Sequence, residues 1–324
     1  MTRRTRRIIF FLFLIAFIIL APLITLYAWG YSFDWEEKTI VATGGIYLKS
    51  YPSGAEIYIN DKLRGKTNKF IRRLVPKLYE IKIAKDDYHP WQKNFLVEPR
   101  LVAKANNILL VPFNPKISLI TKDDKIYEEI YSSLKNPDKE KIYFLSKNTL
   151  YDLNDSPPSV LASNVLNYTI YKNGILYLDY FTGKIYELNL TSLESAPFFE
   201  QVFPSFNQGK WIISSDNKKL LCQKDQSVEI LWLEEVINNS VIREKGDIER
   251  INFNQAINDV IWHGKTNEHL IVSTNNSILI TELDNRPSRN TINFITTPSP
   301  QIQYNAKSET LYFLSQERLY QTEL

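Results

Sequence analysis

Two kinds of hydrophobic pattern divide this chain. From Ile8 to Trp29 the residues run for 22 positions without a charge. A helix of that length reaches about 33 Å, enough for a bilayer core. After residue 44 the pattern changes to an alternation with period two, the mark of half-buried strands. Ile46 and Leu48 alternate with Tyr47 and Lys49, and Ile57 and Ile59 with Glu56, Tyr58 and Asn60. Tyr79, Ile81 and Ile83 do the same against Glu80 and Lys82. Breaks fall at Pro52-Ser53-Gly54-Ala55, at Asn60-Asp61 with Gly65, and at Lys85-Asp86-Asp87. Proline presets φ for a turn and glycine admits a positive φ beside it. The pattern predicts a small antiparallel sheet over residues 44–113 with one apolar face.

The alternation continues to the C-terminus and there it repeats. "IYFLSKNTLYDL" begins at Ile142 and "LYFLSQERLYQT" at Leu311, nearly the same element. Between them stand "ILYLDYFTGKIYEL" from Ile175, "LLCQKDQSVEILWL" from Leu220 and "LIVSTNNSILITEL" from Leu270. Successive starts are 33, 45, 50 and 41 residues apart, around the ~40–45 of a four-stranded propeller blade. Each unit is an apolar strand, a polar turn and a second apolar strand. One such sheet cannot bury both its faces, whereas radial stacking buries them and leaves short edges. Residues 114–324 are therefore expected to form a β-propeller-like domain of about five blades. "KISLITKD" from Lys116 is placed to supply the outer strand of the last blade. The alternative, given the uneven spacing, is a β-sandwich or a linear β-array.

Two resemblances sharpen these expectations. Pro52-Ser53-Gly54-Ala55 followed by "EIYIN" resembles the Pro-Glu-Gly-Ala turn and strand that name the PEGA domain. Gly65-Lys66-Thr67 is similar to that family's Gly-x-Thr-Pro element, with Asn68 at the proline. "LVPKLYEIKI" resembles its Leu-x-Pro-Gly-x-Tyr-x-Ile strand, with Lys77 at the glycine, and "DDYHPW" the Gly-Tyr that follows. The resemblance spans residues 44–113 and implies a non-catalytic extracytoplasmic β-module of the envelope. In the second region, "KWIISSDNKKLLC" and "DVIWHGKTNEHLIV" resemble the Trp-Ser-Pro-Asp-Gly-Lys turns of WD-type and related bacterial propellers. The terminal Trp-Asp pair of the full WD signature is missing.

Charge sets the topology. Arg3, Arg4, Arg6 and Arg7 precede the apolar run, and Asp34, Glu36 and Glu37 follow it. The positive-inside rule then puts residues 1–7 in the cytoplasm as a basic tail, 8–29 across the membrane and 30–43 outside as a linker. The expectation is a single-pass anchor in a bacterial cell membrane with the C-terminal bulk extracytoplasmic. A cleaved signal peptide, with Ala28 and Gly30 near the cleavage site, is the alternative. Of 39 Lys and Arg, removing those four arginines leaves 35 against 36 Asp and Glu. The exported part is thus near neutral, and nucleic-acid binding has no support. Residues 44–113 carry 13 basic and 6 acidic side chains, and 114–324 carry 21 and 27, a shift that marks a boundary near Pro112 and Pro115. Lys62, Arg64, Lys66, Lys69, Arg72, Arg73 and Lys77 crowd into 16 positions. They form a candidate contact for anionic lipid, wall polymer or acidic glycan, or simply a solvated face.

Chemistry-bearing motifs are few. Cys222 is the single cysteine, which excludes an internal disulfide or a cysteine-based metal cluster. The histidines are His89, His263 and His269, and none falls in a zinc-ligand spacing. His263 and His269 flank one turn and are expected to point away from each other. No nucleophile elbow, phosphate loop or calcium loop is present. No catalytic, cofactor or metal residue is assigned. The expectation is a non-catalytic anchored binding or scaffold protein whose propeller is a platform for an envelope protein or glycan. The alternative is an envelope hydrolase or lyase with its site in the propeller channel. Converging His, Asp, Glu or Tyr side chains at the channel would favour the enzyme, and an aromatic and polar rim would favour binding.

Overall fold

In the computed structural model residues 3–135, 142–238 and 241–324 are described. Met1 and Thr2 of the basic tail lie outside them. The chain separates into two compact units, Met1–Leu110 with Arg286–Ser288, and Val111–Asn285 with Arg289–Leu324.

The first unit opens with helix α1 (Arg3–Ala28), long and apolar enough to cross a membrane. No residue of α1 is buried by the rest of the protein. Pro22 lies inside it, and the Thr25 hydroxyl donates to the Ala21 carbonyl at 2.8 Å. The stretch expected to be a linker holds a hairpin, β1 (Tyr31–Asp34) paired with β2 (Thr39–Ala42). Its turn is closed by Asp34 Oδ1, which accepts from the backbone N–H of Glu36 at 2.9 Å.

Residues 44–110 do not make the single antiparallel sheet that alternation alone suggests; they make two sheets around one core. Strands β3 (Gly44–Tyr51), β4 (Glu56–Ile59), β5 (Lys62–Lys66), β6 (Lys69–Leu74), β7 (Leu78–Ala84), β8 (Trp91–Leu96) and β9 (Val102–Leu109) are ordered β6-β3-β9 and β5-β4-β7-β8. The β3–β9 pair is parallel, because the chain crosses from β8 back to the free edge of β3. Ile46, Leu48, Ile57, Ile59, Ile81, Ile83, Trp91 and Phe95 fill the space between the sheets. All of these but Trp91 and Phe95 are the alternating apolar positions read above, so the inward face is as predicted and the second layer is new.

The second unit begins with β10 (Ser118–Ile120) and helix α2 (Tyr127–Lys135). Then follow β11 (Tyr143–Ser146), β12 (Thr149–Asp152) and β13 (Ser159–Ser163) as a three-stranded sheet. The next sheet runs β14 (Val165–Tyr171), β15 (Gly174–Asp179), β16 (Lys184–Asn189) and β17 (Ser195–Val202) in order. A third comprises β18 (Lys210–Ile213), β19 (Lys219–Gln223), β20 (Ser227–Trp232) and, after an inserted hairpin of β21 (Val236–Asn238) and β22 (Val241–Arg243), β23 (Ile248–Asn252). The fourth is β24 (Ile257–Trp262), β25 (His269–Thr274), β26 (Ser277–Glu282) and β27 (Thr291–Thr296). The last joins β28 (Gln301–Asn305), β29 (Thr310–Ser315) and β30 (Arg318–Glu323) to β10.

Among the described residues this is a β-propeller-like domain of five antiparallel blade-like sheets, with the β21–β22 hairpin as an insertion. The strand from "KISLITKD" does close the last sheet, with Leu119 opposite Tyr320. The irregular repeat spacing also has its cause: the longest interval, from Leu220 to Leu270, contains the β21–β22 hairpin. Repeat alignment puts β11 and β12 level with the second and third strands of the other sheets. Helix α2 therefore stands in sequence where an inner strand is expected, and it was not foreseen. Its Tyr127, Ile130 and Leu134 are buried against Ile120, Tyr312, Leu314 and Leu319.

Candidate functional site

The described residues of the second unit line an open cavity of about 690 Å³ beside the inner strands of the last three sheets. Lys210 comes from β18, Asn258, Asp259, Ile261 and Trp262 from β24, and Gln301 to Tyr304 from β28. Ser133 and Leu134 of α2, with Ser299 and Pro300, complete the wall. Inner strands of a propeller lie around a shared space.

The polar groups of the cavity are mostly amides and hydroxyls, set among apolar side chains. Its one carboxylate, Asp259, is held by Lys210 Nζ at 2.7 Å and also accepts from the Val260 N–H at 2.9 Å. Gln303 keeps its Oε1 buried and without a hydrogen-bond partner among the described residues. Nearby, Gln223 Nε2 donates to the Asn258 carbonyl at 3.2 Å while its own Oε1 is likewise buried without one. Buried acceptors left unmatched cost about 1–3 kcal/mol each, and beside a cavity they are ready to receive a ligand's hydroxyl or N–H. Trp262 shares the apolar wall with Leu134, Ile261, Pro300 and Ile302, its Nε1 tied to the Ile212 carbonyl at 3.2 Å. The rim is thus aromatic and polar.

Behind it lies a histidine network that corrects the sequence expectation. His263 and His269 do not point apart; their ring centroids are 6.0 Å from each other. The two residues are opposite one another across the β24–β25 turn, since the His263 N–H donates to the His269 carbonyl. Directly opposed residues share a face of the ladder. Both Nδ1 atoms contact Thr266 Oγ1, at 3.2 and 3.3 Å, and His263 Nε2 meets the Tyr304 hydroxyl at 3.1 Å. Burial pushes His263 down to about 4. Burial, reinforced by its neighbour His263, pushes His269 down to about 3. Both rings are neutral at pH 7.

The "SSDNKK" turn has a different duty. Lys219, only 1% exposed, donates to the Asn267 carbonyl and to Glu268 Oε1, both at 2.9 Å. It ties the third sheet to the fourth. Cys222 is buried, its thiol pushed up to about 11 by burial, and so is inert at neutral pH. His89 is lowered by burial too.

In the first unit six of the seven basic residues occupy two edge strands. Lys62, Arg64 and Lys66 alternate along β5, while Lys69, Arg72 and Arg73 lie on β6, and all six are exposed. Lys77 is half-buried and pairs with Glu36 at 2.6 Å. Arg73 places its guanidinium 3.3 Å from the centre of the Tyr27 ring at the end of α1. The Pro52-Ser53-Gly54-Ala55 turn is built as its sequence implies, Gly54 taking φ of +77°. What pins it is Thr67, whose Oγ1 accepts from the Ala55 N–H at 3.1 Å and meets Ser50 Oγ at 2.6 Å. Ser50 carried no sequence signal.

Residues 43–109 match the family model of the PEGA domain. Comparison with curated proteins finds no match. Among solved structures, a protein from Lactobacillus plantarum is 10% identical with a TM-score of 0.37, covering 88% of this chain and 84% of its own. The β-propeller domain of Cps50 (Swd1) from Myceliophteria thermophila is 13% identical with a TM-score of 0.33, covering 79% and 67%. An oligogalacturonate lyase in complex with manganese is 14% identical with a TM-score of 0.38, covering 53% and 55%. The five-sheet description stands on strand pairing and not on these likenesses. The chain carries a PEGA domain at residues 43–109, preceded in sequence by an apolar helix and followed by a β-propeller-like domain.

Proposed function

We propose that this is a membrane-anchored, extracytoplasmic binding protein whose propeller-like cavity holds an uncharged polar chain, a neutral glycan above all, without turning it over. The observation that carries it is the lining: amides of Asn258, Gln301 and Gln303 around Trp262, with the only carboxylate neutralised by Lys210. Amides match the paired donors and acceptors of sugar hydroxyls, and an aromatic wall suits an apolar sugar face. The arginines in the first turns of α1 and the carboxylates after the helix support a cytoplasmic N-terminus. Lys62, Arg64, Lys66, Lys69, Arg72 and Arg73 would add contact to an anionic envelope surface.

A panel of neutral and acidic oligosaccharides offered to the full chain in lipid nanodiscs tests this. Neutral oligomers are expected to bind and be recovered intact, and Gln301→Leu with Gln303→Leu to weaken them by about tenfold or more, as for two lost hydrogen bonds. Binding of acidic oligomers alone, or binding unmoved by the double change, contradicts it. One observation favours an enzyme instead: Tyr304 lines the cavity with its hydroxyl on a neutral histidine, a pairing suited to proton transfer. Cleaved oligomers in the same assay, abolished by Tyr304→Phe, would establish that reading.

A further inference from the structure

We infer that the β1–β2 hairpin is a lipid-contacting element, laying one face into the interface of the bilayer that α1 spans. Phe33 and Ile40 are opposite one another in the hairpin and therefore share a face. Trp35, two residues beyond Phe33, turns the same way, its ring 4.9 Å from the Phe33 ring and edge-on to it. All three are exposed, at 41%, 52% and 84% for Phe33, Ile40 and Trp35. The opposite side is the one that faces protein, with Asp34 buried and Ser32 and Val41 half-buried. A two-stranded ribbon that exposes its apolar residues and buries its acid has its faces reversed for water.

What covers that face follows from where it is tethered. The hairpin starts three residues after α1 ends at Ala28, and Trp29 between them is itself exposed. The Thr43 N–H and hydroxyl both bond the Gly30 carbonyl, at 2.8 and 2.6 Å, which closes the base of the hairpin against the helix exit. Arg100 donates to the Tyr31 hydroxyl at 2.8 Å, Lys77 pairs with Glu36, and Arg73 lies on Tyr27. These contacts hold helix end, hairpin and β6 together. The apolar face is thereby kept within a few residues of the membrane surface, where tryptophan and phenylalanine are favoured. The cations in these contacts, Arg73, Lys77 and Arg100, suit the phosphates of the headgroups.

This inference rests on α1 being a retained anchor, and the test separates the two. Single cysteines at Phe33, Trp35 and Ile40, each labelled with an environment-sensitive nitrobenzoxadiazole, are compared in the full chain with Ile15→Cys in α1 and Ser308→Cys, which is exposed in the second unit. The buried, inert Cys222 can remain. In phosphatidylcholine–phosphatidylglycerol vesicles carrying shallow doxyl-labelled lipid, labels at 33, 35 and 40 are expected to shift blue and lose most of their emission. The label at 308 is expected to keep its own. Hairpin labels that behave like 308 while 15 is protected from water overturn the hairpin inference. If 15 is also unaffected, the anchor reading fails and the inference with it.

Discussion

At the scale of single residues, the most consequential pair is His263 and His269. Both are buried and neutral, with folded values near 4 and 3 against about 6.5 in an unfolded chain. The unfolded state therefore binds more protons in mild acid. The stability these residues preserve is complete above pH about 6.5 and is lost progressively as pH falls from there to about 4 for His263 and about 3 for His269. Denaturant unfolding between pH 7 and 4 should show stability dropping by about 1.4 kcal/mol per pH unit for each titrating ring. The variant His263→Gln with His269→Gln should flatten that slope, and an equal slope in both proteins would contradict the account. None of this was legible beforehand. The spacing of the two histidines around a turn is visible, but whether a turn leaves them opposed depends on which residues pair, and that is settled by Thr266 and Asn267 closing the loop. Thr67 is the contrary case, since its place in Gly65-Lys66-Thr67 marked it and its hydroxyl is what fixes Ala55.

At the scale of elements, alternation was a reliable guide to which residues face inward and a poor one to how many layers they serve. Ile46, Ile57 and Ile81 were read correctly as one apolar set. Nothing in the period of two distinguishes one sheet from two, because both bury alternate residues. Helix α2 was overlooked although Tyr127, Ile130 and Leu134 stand at helical spacing, with Glu128 and Glu129 in the first turn and Lys135 in the last. Nine residues among strands are easily read as a loop. The β10 strand was found from the need to pair the last outer edge. Its side chain Ile120 is packed under α2 and against Leu319, so β10 acts as the clasp of the propeller-like domain. Ile120→Ala should cost about 2–4 kcal/mol. Limited proteolysis should then cut the N-terminal part of the second unit, before β14, sooner than β18–β26. Unchanged resistance there would show that the clasp is not what holds the ends.

At the scale of the whole molecule, the two regions that follow α1 differ in charge. The PEGA domain concentrates cations on its two edge strands, which also keeps those edges from pairing with other chains. The second unit is mildly acidic and places its polar lining inside. On the proposed division, the first region sets the distance from the membrane and the second recognises the partner. The direct measurement is crosslinking in intact cells with the tagged, anchored chain, followed by identification of what is captured. Three forms are compared: the full chain, a form lacking residues 44–113, and the full chain with Gln301→Leu and Gln303→Leu. The account predicts that the captured set survives loss of the PEGA domain and disappears with the two glutamine changes. A set lost with residues 44–113 and untouched by the glutamines would contradict it.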